Sequence, residues 1–470
     1  MKKTFRFLSM AALLVVGAIM TGCSNDDNID NPQQPTNKDN VVTLTATVSL
    51  DGGAGTRAIN PTSGAKTFES GKQIAVIYKD EYDKTKKAVS TDFTPTGDNT
   101  TATFTVSLTN PASNSDIRYI YPASMAKDVA EDATITDDDA TIDYSGIFGS
   151  QDGTLTKLAD YDLAVKDAAL SGTDLPVSVT LANPLAICKF TLTDGTSPIT
   201  SNVNSLTVSD GTNAYSVNPT SALSEIYVAM KPASGNIAFT ARTSDSKTYF
   251  KTATGTSLVA STLYTNITVS MQELALNNVF CIDGSVYATK DAAIFAGGIP
   301  VAKIAYLGND AETSPTNTAF KNGLALALDD VSDTKTWCSQ TSVTCLGTQY
   351  DNSTKFNVND LAGIANTDAL VGHAVHTHAA ASAARGYNGG THPTGTSAWF
   401  LPSAGQWDKM ATAAGSYANL KTNAGLQELA SYWSSTEYDA NRAWFFDYSV
   451  VGWLIDNKDN EYLVRACLAF

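Results

Sequence analysis

Residues 41–50 read Val41-Val-Thr-Leu-Thr-Ala-Thr-Val-Ser-Leu50. Val42, Leu44, Ala46, Val48 and Leu50 fall on one face of an extended chain, and Thr43, Thr45, Thr47 and Ser49 on the other. A period of two kept over nine residues, Val42 to Leu50, specifies a half-buried β-strand. Asp51-Gly-Gly-Ala-Gly-Thr-Arg57-Ala58 follows it, a glycine-rich loop of the kind proteases enter. Arg57 is the sole arginine between the N-terminal leader and Arg118. Cutting between Arg57 and Ala58 frees the strand. The slot left behind is ~33 Å long at ~3.3 Å per residue. Its apolar side chains represent roughly 5–10 kcal/mol of burial, at ~1.5–3 kcal/mol for each large one. An unpaired edge of that length seeks another strand.

Downstream, Thr, Val and Ser dominate as far as Met271, with Gly, Pro, Asn and Asp as punctuation. Alternating runs recur at Gln73–Tyr78, Thr101–Leu108, Leu175–Leu181, Leu185–Leu192, Ser205–Val208, Ile226–Met230, Asn236–Thr240 and Leu263–Val269. Their spacing and β-branched content predict two sandwiches, over 41–160 and 161–271. Asp137-Asp-Asp139 with Asp143 lacks the glycine and terminal glutamate of a calcium loop and reads as a solvated turn.

Upstream, Lys2, Lys3 and Arg6 precede an apolar run, Phe7–Met20, too short to span a bilayer. It ends at Met20-Thr-Gly-Cys23, which resembles a bacterial lipobox, with methionine where leucine is more usual. The resemblance implies removal of residues 1–22 and acylation of Cys23. The stretch 24–40 is polar and acidic and has almost nothing to bury, so 23–40 reads as a tether. Ser24–Asp30 resembles the signal that sends lipoproteins of Bacteroidetes-type bacteria to the outer face of the outer membrane.

The whole chain of 470 residues holds 31 basic against 47 acidic residues, a net charge of −16, which argues against nucleic acid as a partner. Hydrophobic residues make up 43%, enough for several cores. No paired carboxylates or Ser/His/Asp set occurs at a recognisable spacing, so no catalytic residue and no cofactor is assigned.

After Met271 the texture changes, and all six tryptophans lie there. Ser403-Ala-Gly-Gln406 reads as a capping box opening a helix, with Trp407, Met410, Ala411 and Ala414 on one face. Asn357–His373 and Thr377–Ala384 also read helical, Ala443–Tyr448 and Gly452–Asp456 as a hairpin, and Val279–Asp283 and Tyr462–Phe470 as end strands. Residues 276–470 are thus predicted to be α+β.

Two resemblances organise these readings. The lipobox, the detachable first strand before Thr56-Arg57-Ala58, Phe68–Val76, Leu181–Phe190 and Thr256–Val269 are together similar to the fimbrillin family, the type V pilins of Bacteroidetes. That resemblance covers residues 1–271. It implies tandem transthyretin-like sandwiches, Arg-specific removal of the first strand, and assembly with other fimbrial subunits through a donated strand. Trp399–Ser403 with Trp407, Tyr432–Glu437, Ala443-Trp444 and Val464–Ala466 with Phe470 resemble the C-type-lectin-like modules of Bacteroidetes surface proteins, akin to the sulfatase-modifying-factor fold. That resemblance implies a terminal adhesive domain for a host or microbial glycan or protein. No Glu-Pro-Asn or Gln-Pro-Asp triplet accompanies it, so no calcium–sugar site is expected.

In the resembling fold the end strands are neighbours, which favours a Cys281–Cys467 disulfide; Cys338 and Cys345 would pair across a short loop, and Cys188 would stay a buried thiol. Four cysteines allow three connectivities, and the choice among them stays open. Tyr448 and Trp453 are candidates to stack on a sugar ring, core packing being the competing assignment. His373, His376, His378 and His392 are all four histidines, but no neighbouring cysteine or acid completes a set in the sequence. They read as loop or surface residues, with no metal expected. The leading functional reading is a fimbrial subunit at the tip, on the cell surface and lipid-anchored during maturation. The alternative is a non-polymerising surface lipoprotein that binds glycans.

Overall fold

The computed structural model describes residues 39–50, 67–93, 95–96, 99–195, 197–313, 319–346 and 359–470. Cys23, Arg57 and Ala58 lie outside the described residues.

The alternating stretch is strand β1 (Val41–Leu50), and its predicted inner face is inward: Leu44, Ala46, Val48 and Leu50 are buried and Val42 partly so. The first sandwich adds β2 (Ala75–Lys79), β3 (Thr85–Val89), β4 (Pro95–Thr96), β5 (Thr101–Thr109), β6 (Asp116–Tyr121), β7 (Ala164–Ala169) and β8 (Ser178–Leu181). Its sheets run β4-β5-β1-β8 and β3-β2-β6-β7. They meet through rings such as Phe104 and Tyr119, centroids 6.0 Å apart and edge to face.

This pairing corrects the expected boundary at 160/161. Both β7 and β8 belong to the first sandwich, which ends near Leu181. Between β6 and β7 the chain forms three short helical turns, α1 (Asp138–Thr141), α2 (Ser145–Gly149) and α3 (Leu155–Leu158). Their Ile142, Tyr144, Ile147 and Leu158 enter the core of the second sandwich. The acidic triplet is used here. Asp137 caps α1, Asp138 pairs with Arg118 at 2.8 Å, and Asp139 with Lys231 at 2.7 Å.

The second sandwich comprises β9 (Ala186–Asp194), β10 (Ser197–Pro198), β11 (Val203–Ser209), β12 (Ala214–Val217), β13 (Ile226–Met230), β14 (Ala233–Thr243), β15 (Thr248–Leu258) and β16 (Thr262–Glu273). One hydrogen-bonded path, β10-β9-β16-β15-β14-β11-β12, makes both layers. It can do so because β15 and β16 pair only at Tyr249–Glu273 and Phe250–Gln272 and then part. The layers close on rings such as Phe190 and Phe239, 5.0 Å apart. Cys188 is a buried free thiol, its pKa pushed up to about 12 by burial.

Residues beyond β16 form a mixed segment with β17 (Val279–Cys281), β18 (Val286–Tyr287), α4 (Lys290–Phe295), β19 (Pro300–Leu307), β20 (Gly323–Ala327), β21 (Lys335–Thr336), α5 (Gly363–Val371), α6 (Ala379–Arg385), α7 (Ala404–Ala413), α8 (Tyr417–Ala424), β22 (Ser431–Glu437), β23 (Arg442–Asp447), β24 (Gly452–Asn457), β25 (Glu461–Tyr462) and β26 (Cys467–Ala469). A five-stranded sheet runs β18-β17-β19-β20-β26, and β22-β23-β24 is a separate meander. The capping box forms as expected, Ser403 and Gln406 each bonding the other's backbone N–H. The long sheet is buried on both faces. Leu324, Leu326, Cys467 and Ala469 pack towards Trp407 and Met410, whereas Ala325, Leu468 and Phe470 pack towards Trp399 and Trp433. The segment also rests on the second sandwich. Phe250 of β15 meets Phe280 edge to face at 5.0 Å, and Thr207 donates to the Ala319 carbonyl at 2.9 Å. Gly395 sits there with φ +86°, where a Cβ would lie 2.3 Å from that of Ala238.

Candidate functional site

The first strand is not an edge. β1 pairs antiparallel with β5 over nine residues, Val41–Thr109 through Ser49–Thr101, and parallel with β8 from Thr47–Ser178 to Leu50–Leu181. Without it, β5 and β8 would each show an unpaired edge across one strand's width. The outer face carries a hydroxyl ladder. Thr43 bonds Ser107 at 3.0 Å, Thr45 bonds Thr105 and Thr47 bonds Thr103 at 3.1 Å, and Ser49 bonds Thr180 at 3.0 Å. Such matched pairs hold register as well as stability. A strand replacing β1 therefore meets an apolar floor and a row of hydroxyl partners. Among described residues, β1 reaches the rest of its sandwich through these pairings. Its covalent link, residues 51–66, falls outside them.

The residues proposed for disulfides are free thiols. Cys281 lies on β17 and Cys467 on β26, with β19 and β20 between them. Three strand spacings of ~4.8 Å put them ~14 Å apart, about twice the reach of a disulfide. That pairing is corrected: the end strands share a sheet but are not neighbours. Cys338 and Cys345 do approach, their sulfurs 3.9 Å apart.

The histidines also depart from expectation. His378 is 1% exposed rather than on the surface, and neither of its ring nitrogens makes a well-formed hydrogen bond, although the Trp337 backbone still pulls on the ring. It stands beside Cys338 and Cys345, the ligand atoms of all three lying within 4.8 Å of one another. Burial, then His373, push its pKa down to about 4, so the ring is neutral at pH 7. Burial pushes the Cys345 thiol up to about 12, against the pull of Lys458. The sequence could not show this group, because its members come from separate segments, the loop after β21 and the start of α6, that tertiary packing brings together.

Tyr448 is buried against Phe446 and Tyr432, ring centroids 4.7 and 6.0 Å away, so it is not an exposed sugar platform. Trp453 is half-buried on Phe446, and its indole N–H donates to the Tyr417 hydroxyl at 2.7 Å. Both are framework residues of the β23–β24 hairpin.

Three buried charged or acidic groups escaped the sequence reading. Arg465 pairs with Asp330 at 2.6 Å, and Lys458 with Glu437 where neither side chain is exposed. Asp360 accepts from Thr436 at 2.5 Å, the Ala362 N–H at 3.1 Å and Asn366 at 3.2 Å, yet burial still holds its pKa above the ordinary value. Each ties a loop to the core, and none lines an open cleft with a second catalytic group.

No protein-family model matches the chain, and no curated protein matches it. Solved structures do. The chain is similar to fimbrial proteins of Bacteroidales. A fimbrial protein of Bacteroides ovatus is 15% identical, with 92% of this chain and 100% of that one covered at a TM-score of 0.35. The tip fimbrial protein Mfa3 of Porphyromonas gingivalis, with C-terminal truncation, is 10% identical over 45% of this chain and 81% of that one, TM-score 0.22. A fimbrial assembly protein of Parabacteroides distasonis is 10% identical over 50% and 86%, TM-score 0.23. Among the described residues no helix is long and apolar enough to cross a membrane.

Proposed function

We propose that the chain is a fimbrial subunit whose β1 is removed by cleavage after Arg57 and replaced by a strand from a neighbouring subunit. The observation that carries this is the position of β1: paired on both sides, buried on one face, and followed by a glycine-rich segment holding one arginine. Cleavage alone does not eject a strand held by nine antiparallel pairs. A competing strand with the same alternation can displace it register by register, because it recovers the same floor and the same ladder.

Lipidation at Cys23 holds the precursor at the outer membrane until that exchange. Residues 276–470 are the C-type-lectin-like adhesive module, and the subunit sits at the fimbrial tip. Its β16 runs directly into that module, and Cys467–Phe470 is fully buried on β20, so neither supplies a spare strand to a neighbour.

The test is mass spectrometry of N-terminal peptides from the native cell surface. The polymerised form should begin at Ala58 and the membrane-bound precursor at acylated Cys23. A surface form that keeps Val41–Leu50 in purified fimbriae would refute strand replacement. The same form found only in the envelope would favour a glycan-capturing lipoprotein.

A further inference from the structure

We propose that Cys338, Cys345 and His378 form a binding site for one zinc ion. Zinc is held by thiolate and imidazole ligands, and two thiolates with one imidazole form a characteristic part of such a set. Two sulfurs ~2.3 Å from a tetrahedral zinc stand about 3.8 Å apart. Here they stand 3.9 Å apart, nearly twice the ~2.05 Å of a disulfide. His378 supplies an independent indication. A buried imidazole whose nitrogens make no well-formed hydrogen bond is costly unless a lone pair finds an acceptor, and a metal ion is one.

The surroundings suit the ion as well. The Ser339 N–H donates to the Thr377 carbonyl at 2.8 Å, and the Thr377 N–H to the Ser339 hydroxyl at 3.2 Å, so the two ligand-bearing segments are already joined. Glu437 accepts from the N–H groups of Cys345 and Leu346, both at 2.8 Å, and fixes the loop. The Lys458 ammonium lies 3.9 Å from the Cys345 sulfur and is itself paired with Glu437. It favours the thiolate, while Glu437 keeps the local charge near balance. Trp337 lies edge to face on the His378 ring at 5.7 Å. On binding, both thiols give their protons to solvent and each sulfur donates a pair to the metal. Three ligands leave a fourth tetrahedral position. His373, its ring 5.3 Å from that of His378, is the candidate to fill it.

The full chain, purified with a reductant, should bind Zn²⁺ at one per chain. Substituted with Co²⁺ it should show tetrahedral absorption with thiolate charge-transfer bands. Cys345→Ser and His378→Ala should each weaken zinc binding at least ~100-fold, beyond the ~10–100-fold typical of losing a mere supporting group. Cys281→Ser should bind as the parent does. If the variants misfold, the parent chain decides: Zn²⁺ should protect Cys338 and Cys345 from alkylation, mapped by peptide. Alkylation of both regardless of Zn²⁺, unchanged affinity in the two ligand variants, or a Cys338–Cys345 disulfide in protein taken from the cell surface would overturn the site.

Discussion

Val48 on β1 stands in register with Ala102 on β5, and both side chains are wholly withdrawn from solvent. On its other side Val48 meets Val179 of β8. Under the proposed strand replacement Val48 leaves with β1 while Ala102 and Val179 stay, so substitutions separate the folding of the precursor from its assembly. Val48→Asp buries an unpaired charge and should cost the precursor about 3–5 kcal/mol, read from urea unfolding. After cleavage the aspartate is gone, and matured Val48→Asp subunits should assemble as the parent does. Ala102→Asp should impair both steps. Assembly equally poor in the two variants would contradict replacement of β1.

Arg57→Ala should give a precursor of unchanged stability, since the pairings that hold β1 to β5 and β8 run through Val41–Leu50. It should accumulate uncleaved and fail to enter fimbriae, as judged by gel mobility and electron microscopy. Normal polymers from this variant would exclude Arg57 as the required cut.

β1 was legible because one face is buried and the other wet, so its composition alternates from Val42 to Leu50. β6 was not. Its Arg118 is 3% exposed inside a sandwich and looks like a break in the pattern, until Asp138 and Asp167 arrive from twenty and forty-nine residues away. The turns α1–α3 are too short to show a helical period, so 123–161 read as more β-sheet. β20 is buried on both faces, which erases its alternation, whereas its partner β26 fell within the stretch Tyr462–Phe470 that read as a strand. The expected disulfide failed for a related reason: sequence shows that end strands exist, not how many strands lie between them. His378 and Cys338 show the same limit at the candidate site, since only tertiary packing makes them neighbours.

Glu437 and Lys458 form an ion pair with no exposed side-chain surface. Glu437→Ala leaves a buried ammonium whose remaining partners are uncharged or weak, the Val343 carbonyl at 2.7 Å, the Ala440 carbonyl at 3.1 Å and the Cys345 sulfur at 3.9 Å, and frees the N–H groups of Cys345 and Leu346. The loss should be about 3–5 kcal/mol, measured by denaturant unfolding. Replacing both partners, Glu437→Leu with Lys458→Met, should recover part of it. Full recovery is not expected, because the two backbone donors remain unsatisfied.

Asp360 sets a pH dependence whose sign is fixed by its burial. Its folded pKa lies above the unfolded one, so over the range between them the folded state holds the extra proton. Its contribution is complete below the unfolded pKa of about 4 and is lost as pH rises through the folded value. Asp360→Asn should therefore gain on the parent protein between pH 4 and pH 7 in matched unfolding experiments. A gap that widens against the variant as pH rises would mean that the bonds from Thr436, Ala362 and Asn366 outweigh desolvation.

The tip assignment depends on which strands are available for donation. A shaft subunit must accept one strand and give one. On the proposed exchange the accepting slot is the place of β1 between β5 and β8. The two strands that bound the last segment are both committed. β16 is paired along β9 from Thr262 to Met271, and the chain then passes into β17. β26 pairs with β20, and the Phe470 ring is packed on Phe280 at 5.1 Å and against Gly323, where even a Cβ would lie 2.2 Å from it. Withdrawing β26 to serve a neighbour would empty that space. Phe470→Ala should cost about 3–5 kcal/mol for the same reason, well beyond a surface change. A donor strand would tolerate such truncation far better. In a polymer the chain should then appear once, at the distal end. Gold-labelled antibody against residues 276–470 should mark single particles at fimbrial ends, and Phe470→Ala should reduce their number by lowering the folded population rather than by shortening shafts. Regular labelling along the shaft would show that a donor strand exists and would overturn the tip assignment.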